Sequence, residues 1–208
     1  ISTILRLLAT IGNRVKFAIF AQSSIMSKIL LKNIKGLVQA RETVPQRVSG
    51  SEMAQLPVIE NAWMAVEDGE IIGFGDMVDF PGITDWSSLD VIDASGRYVL
   101  PTWCDPHTHL VHAAPREGEF VDRINGLSYG EIAKKGGGIL NSARKLQSFS
   151  EDQLLEDATK RAYEVMRCGT GAIEIKSGYG LTLEAELKML RVARKLGAET
   201  PLTVKTNF

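Results

Sequence analysis

Apolar residues along the chain keep two different rhythms, and the change falls near Val99. Upstream, short runs such as Ile29-Leu30-Leu31, Ala62-Trp63-Met64-Ala65-Val66, Ile71-Ile72-Gly73-Phe74 and Val91-Ile92-Asp93 are separated by turn formers, notably Glu67-Asp68-Gly69-Glu70 and Ala94-Ser95-Gly96-Arg97. Runs of this length between such turns predict strands. Asp68-Gly69 predicts a tight hairpin turn, because the turn needs positive φ, which Gly adopts freely and Asp tolerates. Residues 26–99 therefore read as a small β-domain of sandwich type, with the aperiodic stretch 39–57 as an exposed loop.

Downstream the order becomes strand, loop, helix, strand, helix, strand. Tyr98 to Asp105 is an apolar run suited to a buried strand. Ser150 opens a helix: Gln153 stands where a capping box needs it, and Leu154, Leu155, Ala158, Ala162, Val165 and Met166 form one apolar stripe that Gly169 ends. Gly171 to Lys176 follows as a strand. Thr182 caps a second helix carrying Leu183, Leu187, Leu190, Ala193 and Leu196, with Gly197 as its stop, and Leu202 to Thr206 is a third strand. Such alternation implies right-handed βαβ units and a parallel sheet buried on both faces. The fold class is thus α/β, with residues 100–208 as the first βαβαβ portion of a (β/α)8 TIM-like barrel. On this reading the barrel is truncated, because three strands and two helices cannot close a structure built from eight of each.

Composition narrows the function classes. With 208 residues, 44% hydrophobic and 24% charged, the chain has the make-up of a globular protein and not of a disordered or fibrous one. Its 24 basic and 25 acidic residues leave a net charge of -1. That balance offers no bulk attraction for nucleic acid or an anionic membrane, so a small molecule is the expected partner. Cys104 and Cys168 lack the paired spacing of a zinc finger or a disulfide scaffold and read as buried thiols of a cytoplasmic protein.

Residues 1–25 stand apart, being apolar and basic, without an acid, and followed by Met26-Ser27-Lys28, which resembles a natural start. Arg6, Arg14 and Lys16 interrupt every run before the ~18 apolar residues that a membrane span needs. Small-x-small spacing of a signal-peptide cleavage site is not evident. The segment reads as non-native upstream sequence or a misplaced start, with a targeting leader as the alternative.

All three histidines fall within the six positions of His107-Thr108-His109-Leu110-Val111-His112. Successive side chains on a strand alternate faces, so His107 and His109 point the same way, as two imidazoles must to share one cation. A pair of satisfied structural histidines has the same spacing. Position favours the metal: the pair follows the first strand of the βα pattern, at the end where β/α barrels build their active sites. A catalytic zinc or iron site takes three or four protein ligands, and no histidine follows His112. Either the site holds no metal or further ligands lie outside this chain.

The run Pro101-Thr102-Trp103-Cys104-Asp105-Pro106-His107-Thr108-His109-Leu110 resembles the first-strand motif of the amidohydrolase superfamily. Further blocks are similar to those of the imidazolonepropionase family: Arg116-Glu117-Gly118-Glu119-Phe120, Gly126 to Ala133, Gly136-Gly137-Gly138-Ile139, and Glu174-Ile175-Lys176-Ser177-Gly178-Tyr179-Gly180-Leu181. The likeness runs from about Met26 to Phe208. Pro106 and His112 depart from it, standing where a small or polar residue and an aromatic are usual.

This resemblance implies a β-domain fused to a barrel and one divalent metal ion, zinc or iron, held by His107 and His109. It also implies hydrolysis of 4-imidazolone-5-propanoate to N-formimidoyl-L-glutamate, in a homodimer when full length. Arg116 would then meet the substrate carboxylate through its guanidinium fork, and Tyr179 and Tyr129 would line the substrate pocket. The catalytic acid and base are expected downstream of Phe208, so the chain alone is expected to be inactive, and the unpaired edge strand of an unclosed parallel sheet predicts poor solubility. Read without the family, Arg116 could equally be solvated and Tyr179 a packing residue. The alternatives are another cyclic amidase or aminohydrolase, or a metal-free structural homologue.

Two other features carry less. Gly136-Gly137-Gly138 lacks the Lys-Ser/Thr of a phosphate loop and follows no strand. Glu174 and Lys176 read as polar groups of a barrel interior, and Asp105 as an orienter of the histidines or a structural aspartate.

Overall fold

The computed structural model describes residues 6–7, 17–18, 28–43, 45–85 and 87–208. Arg6–Leu7 pairs with Phe17–Ala18 as short antiparallel strands. The rest of the segment expected to be non-native or a leader lies outside the described residues. The chain divides into two compact units, Ile1–Trp103 and Cys104–Phe208.

In the first unit, β1 (Lys28–Val38), β2 (Val58–Glu67), β3 (Glu70–Asp76), β4 (Leu89–Asp93) and β5 (Tyr98–Val99) make one five-stranded sheet. Its order is β3-β2-β1-β4, and β5 also pairs with β1. The β2–β3 hairpin turns at Asp68 and Gly69, with φ of 50° and 81°, as the dipeptide requires. Asn33, at φ 56°, marks an irregularity in the pairing of β1 with β2. The extra residue there switches side-chain parity, so Leu31 and Ile34, three apart, are both buried. They join Ile29, Leu37, Met64 and Val66 in the core of this unit.

The second unit contains β6 (Trp103–Thr108), α1 (Glu117–Ile124), α2 (Tyr129–Lys134), α3 (Ile139–Ser148), α4 (Glu151–Arg167), β7 (Thr170–Lys176), α5 (Leu183–Glu199) and β8 (Thr203–Asn207). Its sheet has the order β8-β7-β6, with β7 and β8 parallel. Ser150 and Gln153 form the expected reciprocal capping box. Gly169, at φ 97°, takes the left-handed turn that ends α4. Leu154, Ala158, Ala162 and Met166 of α4 and Met189, Ala193 and Leu196 of α5 share one core with Ile173 and Ile175 of β7.

Several expectations need correction. The apolar run Tyr98 to Asp105 is two strands: β5 hydrogen-bonds to β1, β6 joins the other sheet, and Pro101, which has no N–H to donate, lies between them. β6 is exposed from Trp103 to His107, because it is the edge of its three-stranded sheet. Cys104, on that edge, and Cys168, at the C-cap of α4, are both exposed thiols.

Helix α5 buries Ala185, Glu186, Met189, Val192, Ala193 and Leu196, whereas Leu183 is 72% exposed. The inward face is therefore turned from the stripe that begins at Leu183, and small Ala185 can approach the backbone of Gly180. Gly197 does not stop α5, which continues to Glu199. A Cβ at Gly197 would lie 3.0 Å from the Cβ of Val204, so glycine there permits close contact between α5 and β8.

Residues 110–149, expected as loop, hold the three short helices α1 to α3. Ser128 and Glu131 form a capping box at the start of α2, a Ser-x-x-Glu signal present in the sequence.

Candidate functional site

His107, near the end of β6, and His109, just past that end, stand side by side, their ring centroids 5.6 Å apart with 63° between planes. Nδ1 of His109 is buried and has no hydrogen-bond partner. A buried nitrogen without a partner is costly, and metal coordination is one way to satisfy it. The pair thus fits part of a metal site. Among the described residues no group of three or more His, Cys, Asp or Glu side chains is arranged to hold a metal. Asp105 accepts the backbone N–H of His107 at 3.2 Å, and that bond shapes the strand end instead of orienting an imidazole.

Tyr179 stands edge-on to His109, with centroids 4.8 Å apart and 69° between planes. Its ring also packs against the core of the unit, so the packing and binding readings of this residue coexist. His109, Tyr179, Arg116 and His112 together line a cavity of about 190 Å³, closed on its apolar side by Ala113 and Leu146.

Arg116 is engaged, not free. Its Nε donates to Oε2 of Glu119 at 2.9 Å, Nη2 donates to the same oxygen, and Oε1 of Glu119 accepts the N–H of Gly138 at 3.0 Å. The Arg116 guanidinium holds the Glu119 carboxyl below its ordinary range, and the hydrogen bond to Glu119 raises Arg116 in turn. Tyr129 is 60% exposed and absent from the cavity wall. It stands near Gly138, where an added Cβ would lie 3.8 Å from the tyrosine hydroxyl. Gly138 begins α3 at φ 80°, so the glycine run serves a helix start and a carboxylate contact.

Of three supporting side chains, Glu174 belongs to a block singled out in the sequence, whereas Arg161 and Glu186 carry no motif signal of their own. Arg161, on α4, donates to the carbonyls of Leu110 at 2.7 Å and His112 at 2.9 Å, pinning the segment that leaves the histidine strand. Burial, with the Arg161 charge beside it, lowers the His112 imidazole and favours its neutral form. Glu174 pairs with Lys176 at 2.6 Å and accepts from Asn207 at 3.1 Å, across β7 and β8. Glu186 holds the loop that carries Tyr179. The sequence shows Arg161 and Glu186 as ordinary helix charges, and only the folded contacts distinguish them.

No protein-family model matches the chain. It is 56% identical over 179 residues to the imidazolonepropionase of Flavobacterium johnsoniae and 57% identical over 180 residues to that of Christiangramia forsetii, covering 86% of this chain in each case. The imidazolonepropionase of Thermoanaerobacter pseudethanolicus is 37% identical over 180 residues, again 86% of the chain. The chain spans about 43% of the first two relatives' length and 42% of the third's.

Among solved structures, Escherichia coli guanine deaminase superposes with a TM-score of 0.55 at 12% identity, over 88% of this chain and 36% of that one. An atrazine chlorohydrolase variant from Arthrobacter aurescens, complexed with zinc and atraton, superposes with a TM-score of 0.51 at 15% identity, over 86% and 35%. At such identities the likeness is one of fold alone. By sequence, 86% of the chain is similar to part of the imidazolonepropionases of these three bacteria.

Proposed function

We propose that the whole protein opens the ring of 4-imidazolone-5-propanoate, hydrolysing its cyclic amide to N-formimidoyl-L-glutamate in histidine breakdown. The observation that carries this reading is the extent of sequence identity with the imidazolonepropionases. The three-stranded sheet is read as the opening part of a (β/α)8 barrel, with the first unit as the small β-domain fused to it. His107 and His109 are the residues that would hold a single divalent ion, together with ligands from outside this chain. When bound, that ion, zinc or iron, supplies Lewis-acid polarisation of the ring carbonyl and a more acidic water.

The chain's own residues bind and orient. Arg116 offers charge at the cavity wall to the substrate propionate, its fork already steadied by Glu119. Tyr179 directs a phenol into the same space while its ring packs on His109. Tyr129 belongs to the outer rim of the pocket, and neutral His112 offers a further polar contact. A homodimer in the cytoplasm, acting on a small molecule and on neither nucleic acid nor membrane, completes the proposal. No described helix is long and apolar enough to cross a membrane.

The test is an assay of the purified full-length protein for N-formimidoylglutamate formed from imidazolonepropionate. Turnover of other cyclic amides or of aminopurines, with none of this substrate, would reject the assignment. Binding without any turnover would favour a metal-free homologue.

A further inference from the structure

The segment Ser177 to Leu181, between β7 and α5, is held by one carboxylate. Glu186 belongs to the start of α5, is only 8% exposed, and turns back towards the segment that precedes its helix. Its Oε2 accepts the N–H of Gly178, and its Oε1 accepts those of Gly180 at 2.7 Å and Leu181 at 2.9 Å. The Ser177 side chain adds a further hydrogen bond. A carboxylate near a helix N-terminus ordinarily faces solvent and the helix's own N–H groups. Here its lone pairs are taken by another stretch of chain.

Two further contacts fix the same loop. Gln147 of α3 donates through Nε2 to the Gly180 carbonyl at 2.8 Å. A Cβ on Gly180 would stand 2.7 Å from the carbonyl carbon of Ala185 and the backbone nitrogen of Glu186, so the loop rests directly on the first turn of α5. Tyr179 lies between two residues tied to Glu186, and its ring reaches both His109 and the cavity.

We propose that Glu186 is a positioning residue of this site: by drawing the N–H groups of Gly178, Gly180 and Leu181 onto one buried carboxylate, it fixes the Tyr179 phenol where the ligand meets His109. This rests on the reading of the cavity as the substrate site. Burying a carboxylate is unfavourable unless its oxygens are fully hydrogen-bonded, and here the loop backbone supplies the donors. A helix formed without Glu186 would still pack its apolar face, but the loop would lose its common acceptor.

The experiment uses the full-length protein. E186Q keeps the side chain's size but turns a donor amide towards backbone N–H groups; E186D keeps both acceptors on a shorter reach. In E186Q, amide exchange at Gly178, Gly180 and Leu181 is expected to quicken by about tenfold or more, while amides of α4 keep their protection. KM for imidazolonepropionate is expected to rise about tenfold with kcat changed less than about threefold, and E186D to recover part of the loss. In a Y179A background, E186Q should add little to KM, because the two changes act through one phenol.

Unchanged exchange at the three amides, or KM losses of E186Q and Y179A that simply multiply, would overturn the proposal. If E186Q fails to fold, E186D is judged by the same exchange and the same cycle. If the wild-type protein does not turn over imidazolonepropionate, the functional reading fails, and the exchange measurement decides the role of Glu186 by itself.

Discussion

His109 meets demands from two sides: its ring packs edge-on against Tyr179, and its buried Nδ1 lacks a partner. On the proposed reading, replacing His107 and His109 together with Asn should abolish stoichiometric metal by elemental analysis and lower kcat by a factor of ~1,000 or more. Full metal content in that variant would remove these residues from the site. Arg116 presents a different case, because Glu119 already occupies its Nε and Nη2. A charge-assisted hydrogen bond of ~1.5–3 kcal/mol to the substrate carboxylate predicts that Arg116→Met raises KM by about ten- to a hundredfold, with kcat little altered. Steady-state kinetics separate this from a structural role, which would lower the unfolding temperature while leaving KM in place.

At the scale of elements, caps and close approaches make the sharpest predictions. Ser150→Ala removes the acceptor for the N–H of Gln153 and is expected to cost about 1 kcal/mol in urea unfolding. Gly197→Ala would ordinarily stabilise a helix interior by about 0.5–1 kcal/mol. Here the new methyl meets Val204 at 3.0 Å, and the expected outcome is a net loss of about 1 kcal/mol.

The contrast between legible and illegible elements follows from the same physics. Helices α4 and α5 and strands β7 and β8 can be read from the chain because long apolar periods and caps coincide, while the inward face of α5 and its stop at Gly197 are misjudged. Helices α1 to α3 are short, and α1 buries none of its residues, so periodicity alone does not mark them. In the site, the His-x-His spacing signals that His107 and His109 stand together, although the strand ends at Thr108, between them. Glu186 and Arg161 were not visible, because their partners are backbone groups that only the fold brings within reach.

For the molecule as a whole, acid is an informative perturbation. Burial pushes the Glu186 carboxyl upward, but hydrogen bonds from the Ser177 side chain and from Leu181, Gly178 and Gly180 outweigh it and hold the group below its ordinary value of 4.5. A folded value below the unfolded one means that its stabilisation is complete above pH 4.5 and is lost as pH falls through the folded value. The stability advantage of wild type over E186Q should therefore narrow between neutral pH and about pH 3, as chemical denaturation at each pH would show. A constant difference across that range would mean that the carboxylate is not singled out by these bonds.

Helix α5 also ties distant parts of the second unit to one another. Near one end it seats Gly197 against Val204, and near the other it offers Glu186 to the loop beneath Tyr179. Eleven residues separate the two points, a stiff rod of about 16 Å. A side chain that wedges the far end off the sheet should tilt that rod and shift the phenol, so weakened ligand affinity in Gly197→Ala would report leverage transmitted along the helix.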